Sequence, residues 1–412
     1  MTPSGYLYYI KTTVITKSQK VLTTLNINMR NLRAFAYVIL VIMAVFYGMA
    51  AYKFELPPFG LVKVAYEFAK SFTPQKPPKM PQEFLVTPPE YLTTDVAALI
   101  SIRQQKDVIQ ARKKLIAFLW GKPGLPTNLP KVDENYISDT RYSDIPALSR
   151  IDKLTIAMEY GIESYAYHFI PKQSNNNVVL YNLGHDQDFY EGKSRIKQLL
   201  DAGYSVVAFA MPLAGLNNQP TINIPGIGML KMTTHDQLKF LTPANGHPVK
   251  FFVEPIVVAI NYLKKHYHYT SVSMVGFSGG GWIATIAAAV DTRIEKCFPV
   301  AGSYPIYLRS NSQRDWDDYE QTVPELYRTV NYLDLYLLGA SGKNRKELQI
   351  LNQFDPCCFA GTKSETYKSI LRDRVHKIGP GEFDLFLDAS HQGHHISDIA
   401  MNRILDEIGK TR

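Results

Sequence analysis

Hydrophobic and polar positions change rhythm three times along this chain. Residues 34–52, AFAYVILVIMAVFYGMAAY, run for nineteen residues without a charge. At about 1.5 Å per residue this is just long enough to span a hydrocarbon core of roughly 30 Å, so the pattern predicts a transmembrane helix. Next, Leu61, Val64, Ala65, Phe68 and Phe72 recur at helical spacing, with Lys63, Glu67 and Lys70 on the opposite face. That is a basic amphipathic helix, suited to a membrane surface or to packing on a neighbouring domain. TPQKPPKMPQ at 73–82 is then a stiff, proline-rich linker.

Beyond the linker the rhythm becomes that of a folded domain. A helical stretch over 95–120 ends in Ala117-Phe118-Leu119-Trp120 and is stopped by Gly121-Lys122-Pro123-Gly124. IDKLTIAMEYG from 151 and IESYAYHFIP from 162 alternate and read as an antiparallel pair. From there, apolar runs fit for strands buried on both faces exchange with amphipathic segments. Strands are predicted at 177–184, 204–212, 270–276, 294–302, 347–354 and 382–388, and helices at 193–203, 251–265, 281–290, 364–377 and 397–408. Alternation of this kind predicts an α/β fold with a mostly parallel central sheet covered by helices on both faces. Such sheets carry their sites at the carboxyl ends of strands.

Charge sharpens the division. Residues 1–80 carry ten Lys/Arg and two Asp/Glu, and the remainder carries 35 of each sign, so the whole excess of +8 sits at the N-terminus. A globular part without basic bias argues against a nucleic-acid partner. Three cysteines exclude a disulfide scaffold and a four-cysteine zinc site. Arg30 and Arg33 precede the apolar run and Lys53 follows it. Basic residues stay cytoplasmic, which favours an inside N-terminus and an exported body. An alternative start at Met29 would make MRNLR the n-region of a signal peptide with a cleavage site near Gly48-Met49-Ala50, and it too exports the body. The expected organisation is a cytoplasmic segment at 1–33, a signal-anchor at 34–52, an amphipathic helix and linker at 53–90, and a catalytic domain at 91–412.

One strand end holds candidate chemistry. Gly276-Phe277-Ser278-Gly279-Gly280 lies between the strand at 270–276 and the small-residue helix at 281–290. A strand that turns at once into a helix needs glycines where side chains would clash, and it raises the intervening hydroxyl above the sheet. With this motif and the element order around it, the chain resembles the α/β-hydrolase superfamily over about residues 150–410.

The resemblance implies a serine hydrolase with Ser278 as nucleophile and the backbone N–H of Gly279 as one oxyanion donor. The second donor belongs to the loop Asn182-Leu183-Gly184-His185-Asp186-Gln187-Asp188, where Asp186 is the first choice and Gln187 its neighbour. In the order Ser, acid, His the base follows the last strand, where His391, His394 and His395 compete, with His394 preferred for its place just before the final helix. The acid belongs at the end of the penultimate strand, and Asp355 is preferred over Asp334 and Asp388. A plain Asx turn ahead of Pro356 is the structural alternative for Asp355. The 91 residues between the helix at 281–290 and the last strand at 382–388 exceed what the fold needs, implying a helical insertion around 303–345.

Several weaker signals were weighed against this. His391-x-x-His394-His395 lacks a third zinc ligand at local spacing, so no metal and no cofactor are expected. Gly339-Ala340-Ser341-Gly342-Lys343 has Leu337 in the wrong place for a phosphate loop. Asp315, Asp317, Asp318 and Glu320 read as a solvated face, or as a site for a substrate amine. Cys357 and Cys358 offer a vicinal disulfide, a bond to Cys297, or buried thiols. Ile222, Ile224, Ile227 and Met229 suggest an acyl-accepting cap. The reading is a membrane-anchored serine hydrolase facing away from the cytoplasm and cleaving a carboxylic ester of a small or lipid-like acyl substrate. A peptidase or amidase, and a tethered binding protein without activity, are the alternatives.

Overall fold

The structure, a computed structural model, describes residues 29–54, 82–185, 188–309, 316 and 318–410. It divides into two units, Met1–Lys79 and Met80–Arg412. In the first unit the apolar run lies within helix α1 (Met29–Phe54). Every side chain described between Phe35 and Met49 is exposed. Among the described residues no helix is long and apolar enough to cross a membrane. The spanning helix expected over 34–52 is therefore present as a helix but not found as a span. The amphipathic helix expected over 61–72 and nearly all of the linker lie outside the described residues.

After short helical turns at Gln82–Phe84, Pro89–Leu92 and Val96–Leu99, the first long helix of the second unit is α2 (Gln105–Trp120). The longer helical stretch expected from residue 95 is broken before it. Asp107 turns back to accept from the N–H groups of Arg103 and Gln104, which fixes the helix start there. The sheet then follows with strands β1 (Lys131–Asp133), β2 (Leu148–Ala157), β3 (Glu163–Pro171) and β4 (Asn177–Asn182). After helix α3 (Lys193–Asp201) come β5 (Ser205–Phe209) and the hairpin β6 (Thr221–Ile224) and β7 (Gly228–Lys231). Helix α4 (Lys250–His266) leads to β8 (Ser271–Phe277), α5 (Gly279–Val290) and β9 (Lys296–Val300). The chain closes with α6 (Tyr332–Ala340), β10 (Lys346–Asn352), α7 (Glu365–Ile378), β11 (Glu382–Asp388) and α8 (Asp398–Gly409).

Nine strands form one sheet in the order β1-β2-β3-β5-β4-β8-β9-β10-β11. β4, β5 and β8 to β11 pair in parallel, while β1, β2 and β3 pair antiparallel at one side. The expected α/β architecture is what the chain adopts. β1 is only three residues long, and Lys131 and Asp133 on it are exposed. The core lies in two layers. One face carries α2, α4, α5, α6 and α7 through residues such as Leu115, Ile256, Trp282, Leu337 and Leu371. The other carries α3 and α8 through Ile196, Leu199, Met401 and Ile404. The chain leaves β4 toward β5 on one side and resumes at β8 on the other, so the direction of winding reverses between β4 and β8. That reversal opens the crevice in which parallel sheets of this kind hold ligands.

The segment expected as an insertion at 303–345 divides in two. α6 is the crossover helix joining β9 to the parallel strand β10, buried along its whole length. Only the part before it, with the short helix Pro324–Thr329, is additional to the layered fold. Ile222 and Ile224 of the β6–β7 hairpin are buried, whereas Ile227 and Met229 are exposed. The proposed apolar cap is thus split between core and surface.

The rear of the layers is fastened by buried cations at helix ends. Arg112 donates to the carbonyls of Ala289 and Leu338 at 2.9 and 2.7 Å, and Arg345 to that of Gly339. These are the last carbonyls of α5 and α6, where positive charge is favoured. Lys346 of β10 holds Glu407 of α8 at 2.8 Å, with both side chains nearly fully buried. Burial alone would raise the Glu407 carboxyl, but hydrogen bonds from Lys346 and Lys410 outweigh it and bring it down to about 2. A carboxyl depressed in the fold stabilises it above its ordinary value of 4.5 and gives that contribution up as the pH falls toward the folded value. Glu407→Gln is therefore expected to lose about 1.5–3 kcal/mol at neutral pH. Urea unfolding should show the gap between variant and parent closing as the pH drops below about 4. A gap that stays constant down to pH 2 would refute the assignment.

Candidate active site

β8 runs into α5 with a single residue, Ser278, between them. Ser278 sits at φ 54°, ψ −125°, a backbone conformation that costs a non-glycine residue on the order of 1–3 kcal/mol. The surroundings leave it no other choice. Its N–H donates to the carbonyl of Val300 on β9 at 2.9 Å, and its carbonyl accepts from Gly281 and Trp282 at 2.8 and 3.1 Å. A Cβ placed on Gly276 would lie 2.0 Å from the carbonyl oxygen of Gly280, and one on Gly280 would lie 2.2 Å from that of Asn182. The glycines are there because strand and helix backbones touch, and that contact lifts the serine hydroxyl over the strand ends.

The loop after β11 brings an imidazole to this hydroxyl. His394 Nε2 lies 2.9 Å from Ser278 Oγ, and its Nδ1 lies 2.8 Å from Asp355 Oδ2. With the Asp355 carboxylate accepting at Nδ1–H, Nε2 is left as the acceptor facing the serine hydroxyl. The ring is flanked by Phe277 at 4.7 Å between centroids. Asp355 follows β10 and is 1% exposed. Its Oδ1 accepts from the N–H of Cys357 at 2.8 Å and of Cys358 at 3.4 Å. Asn352 donates to Oδ2 at 3.1 Å. The Asx turn and the histidine contact are thus not alternatives, because each uses its own oxygen.

Of the residues picked from sequence, the structure brings together Ser278, His394 and Asp355. His391 and His395 stack on one another at 4.2 Å, and His391 Nδ1 accepts from the N–H of Gly393. Burial, reinforced by His391 and Arg195, lowers the His395 imidazole below its ordinary value. Asp388 accepts from Ser390 and Ser397 at the start of α8. Asp334 binds the N–H groups of Ser101 and Ile102. Both alternative acids fasten the chain to itself. Cys297 is a buried thiol against the carbonyl of Ala284, not a partner for the later pair.

The loop after β4 closes on Ser278. A Cβ on Gly184 would come within 2.8 Å of Ser278 Cβ. Gly279, the first residue of α5, has an N–H with no acceptor inside the helix. Asp186 and Gln187 lie outside the described residues, so the second donor is not placed. His185 of this loop points elsewhere. Its Nε2 lies 2.9 Å from Asp318 and 3.2 Å from Glu320. Burial opposes its proton, yet the hydrogen bonds to Asp318 and Glu320 prevail and push it up to about 11. In the sequence these acids read as a solvated face or a site for a substrate amine, and nothing there marks His235, which joins the same group. A cavity of about 510 Å³ lies beside the added segment, lined by Leu99, Tyr307, Tyr327, Tyr332 and Leu333 among others, and none of Ser278, His394 and Asp355 lines it.

No family model and no curated protein matches this chain. Solved structures do. An acetyl xylan esterase from Thermoanaerobacterium is 15% identical, covering 77% of this chain and 98% of its own, with a TM-score of 0.51. A glucuronoyl esterase from Solibacter usitatus is 14% identical over 80% of this chain and 98% of its own, with a TM-score of 0.49. The first likeness extends to architecture: the chain has the α/β-hydrolase fold.

The backbone contacts at the elbow can be tested directly. Gly280→Ala is expected to destabilise the domain by about 1–3 kcal/mol or more, since the new methyl meets main chain and not a movable side chain. Chemical denaturation measures this, and an unchanged midpoint would contradict the contact.

Proposed function

We propose that this chain is a serine hydrolase that cleaves carboxylic esters through an acyl-enzyme. The observation that carries the reading is the hydrogen-bonded line from Ser278 through His394 to buried Asp355. A serine hydroxyl is a weak nucleophile until a base takes its proton. His394 Nε2 removes that proton as Ser278 Oγ attacks the ester carbonyl, and Asp355 stabilises the imidazolium that results. The N–H of Gly279, with Asp186 proposed as second donor, holds the oxyanion. The imidazolium then protonates the leaving alcohol. Water, activated by the same nitrogen, releases the acid and restores Ser278.

Two considerations favour an ester over an amide or peptide. Asp318 and Glu320, the candidates for receiving a substrate amine, are turned onto His185 and His235. The similar structure described above is named an esterase. A small or lipid-like acyl ester is the proposed substrate class. We also propose that residues 34–52 anchor the chain in a membrane with the hydrolase unit outside the cytoplasm, on the strength of nineteen uncharged residues behind Arg30 and Arg33.

A fluorophosphonate should label the parent protein and not Ser278→Ala, whose ester turnover should fall by about 10⁶. Asp355→Asn keeps the shape and disturbs the imidazole tautomer, so turnover should drop by about 10⁴. Folded parent protein that resists labelling would point to a tethered binding protein instead. Faster turnover of aminoacyl anilides than of p-nitrophenyl esters would make it an amidase. For the anchor, alkaline carbonate should leave the full chain in the membrane pellet, and release into the supernatant would refute it.

A further inference from the structure

Four side chains from three distant segments converge beside the nucleophile elbow. His185 comes from the loop after β4, His235 begins the 3-10 turn His235–Phe240, and Asp318 and Glu320 flank the start of the turn Tyr319–Thr322. One ligand-type atom from each lies within 4.8 Å of all the others. We propose that His185, His235, Asp318 and Glu320 form a binding site for a divalent cation of the zinc class.

Geometry is the first argument. Zinc holds nitrogen and carboxylate oxygen at about 2.0–2.2 Å in a tetrahedron, whose edges are then about 3.3–3.6 Å. The histidine-to-carboxylate distances are 2.9 and 3.6 Å to Asp318 Oδ2, and 3.2 and 3.8 Å to Glu320, where His185 faces Oε1 and His235 faces Oε2; all four lie near that value. Hydrogen bonding explains the two short ones and not the two long ones. Among the described residues His235 Nε2 and Glu320 Oε2 are buried without a hydrogen-bond partner, and they face one another across 3.8 Å. That is too far for a hydrogen bond and suits two ligands of a common ion.

Burial and charge give the second argument. Glu320 is 0% exposed and His235 7%. Leaving buried polar atoms unmet is costly, so a fold that does this needs a compensating partner. Once both imidazoles have given up their protons to act as ligands, the two carboxylates carry a charge that one divalent ion cancels. Imidazole and carboxylate also suit zinc among the common divalent ions. The segments are already tied, since Asp236 accepts from the N–H of Tyr319 at 3.1 Å. Tyr327 bonds the Glu320 carbonyl at 2.8 Å.

The ion would be a clamp and not a reagent. Four protein ligands close the coordination shell, leaving no position for water or substrate. Its hold would still reach the elbow, because a Cβ on Gly279 would lie 2.6 Å from the His185 ring. The clamp would pin the loop after β4 where the proposed hydrolase needs its oxyanion donors.

The test uses the full chain in detergent, stripped with a chelator and dialysed against zinc, with bound metal counted by mass spectrometry. About one zinc per chain is expected, with a higher thermal midpoint than the stripped protein and no such rise with magnesium. Cobalt in the parent protein should give the strong visible absorption of a four-coordinate ion. Glu320→Gln, close to isosteric, and His235→Ala should each weaken zinc binding at least about 10-fold. Stripped protein that keeps its far-UV circular dichroism and takes up neither zinc nor cobalt would overturn the proposal. So would zinc uptake unchanged in both variants. The readouts are metal count and stability, so the fluorophosphonate result stands or falls separately.

Discussion

The contact between two pieces of main chain, β8 at Gly276 and the first turn of α5 at Gly280, governs everything built above it. It leaves room for one residue between strand and helix, and that residue must accept a positive φ. The strain is held by hydrogen bonds from Ser278 to Val300 on the neighbouring strand and to the first turn of α5. Arg112 secures the far end of the same helix through the carbonyl of Ala289. A hydroxyl mounted this way has little freedom, so the histidine loop and the acid turn have a fixed target.

Much of this was legible in residues alone. Buried parallel strands announce themselves as apolar runs, as β4 and β5 do, while β8 and β9 read as strands despite Ser271, Ser273 and Lys296. The glycines around Ser278 are needed by backbone geometry that any sequence adopting the turn must satisfy, which is why a short string carried weight. Choosing among His391, His394 and His395 was harder, since they lie within five positions and differ only in where a short loop points them. The preference for His394 rested on its distance from the final helix, and it is His394 that meets Ser278.

The acidic residues beside the site were not legible. Asp318 and Glu320 look like part of a solvated charge run, and His185 and His235 are separated from them by long stretches of chain. Only the return of the added segment over the loop after β4 brings them together, and local periodicity does not carry that information. The insertion was misjudged for a related reason. α6 is apolar apart from Asp334 and Tyr hydroxyls because it is buried among α2, α5, α7 and the sheet, so from composition alone the crossover helix and the added segment merge.

The shortness of β1 has a bearing on how the molecule behaves in company. A sheet this wide ends in unpaired peptide groups that invite the edge of another chain. Here three residues, two of them the exposed Lys131 and Asp133, form the outermost rung, too brief and too charged to template a neighbour. For a protein with a greasy helix near its start, blunting that rim removes one route to aggregation while the chain is still crowded among its own copies.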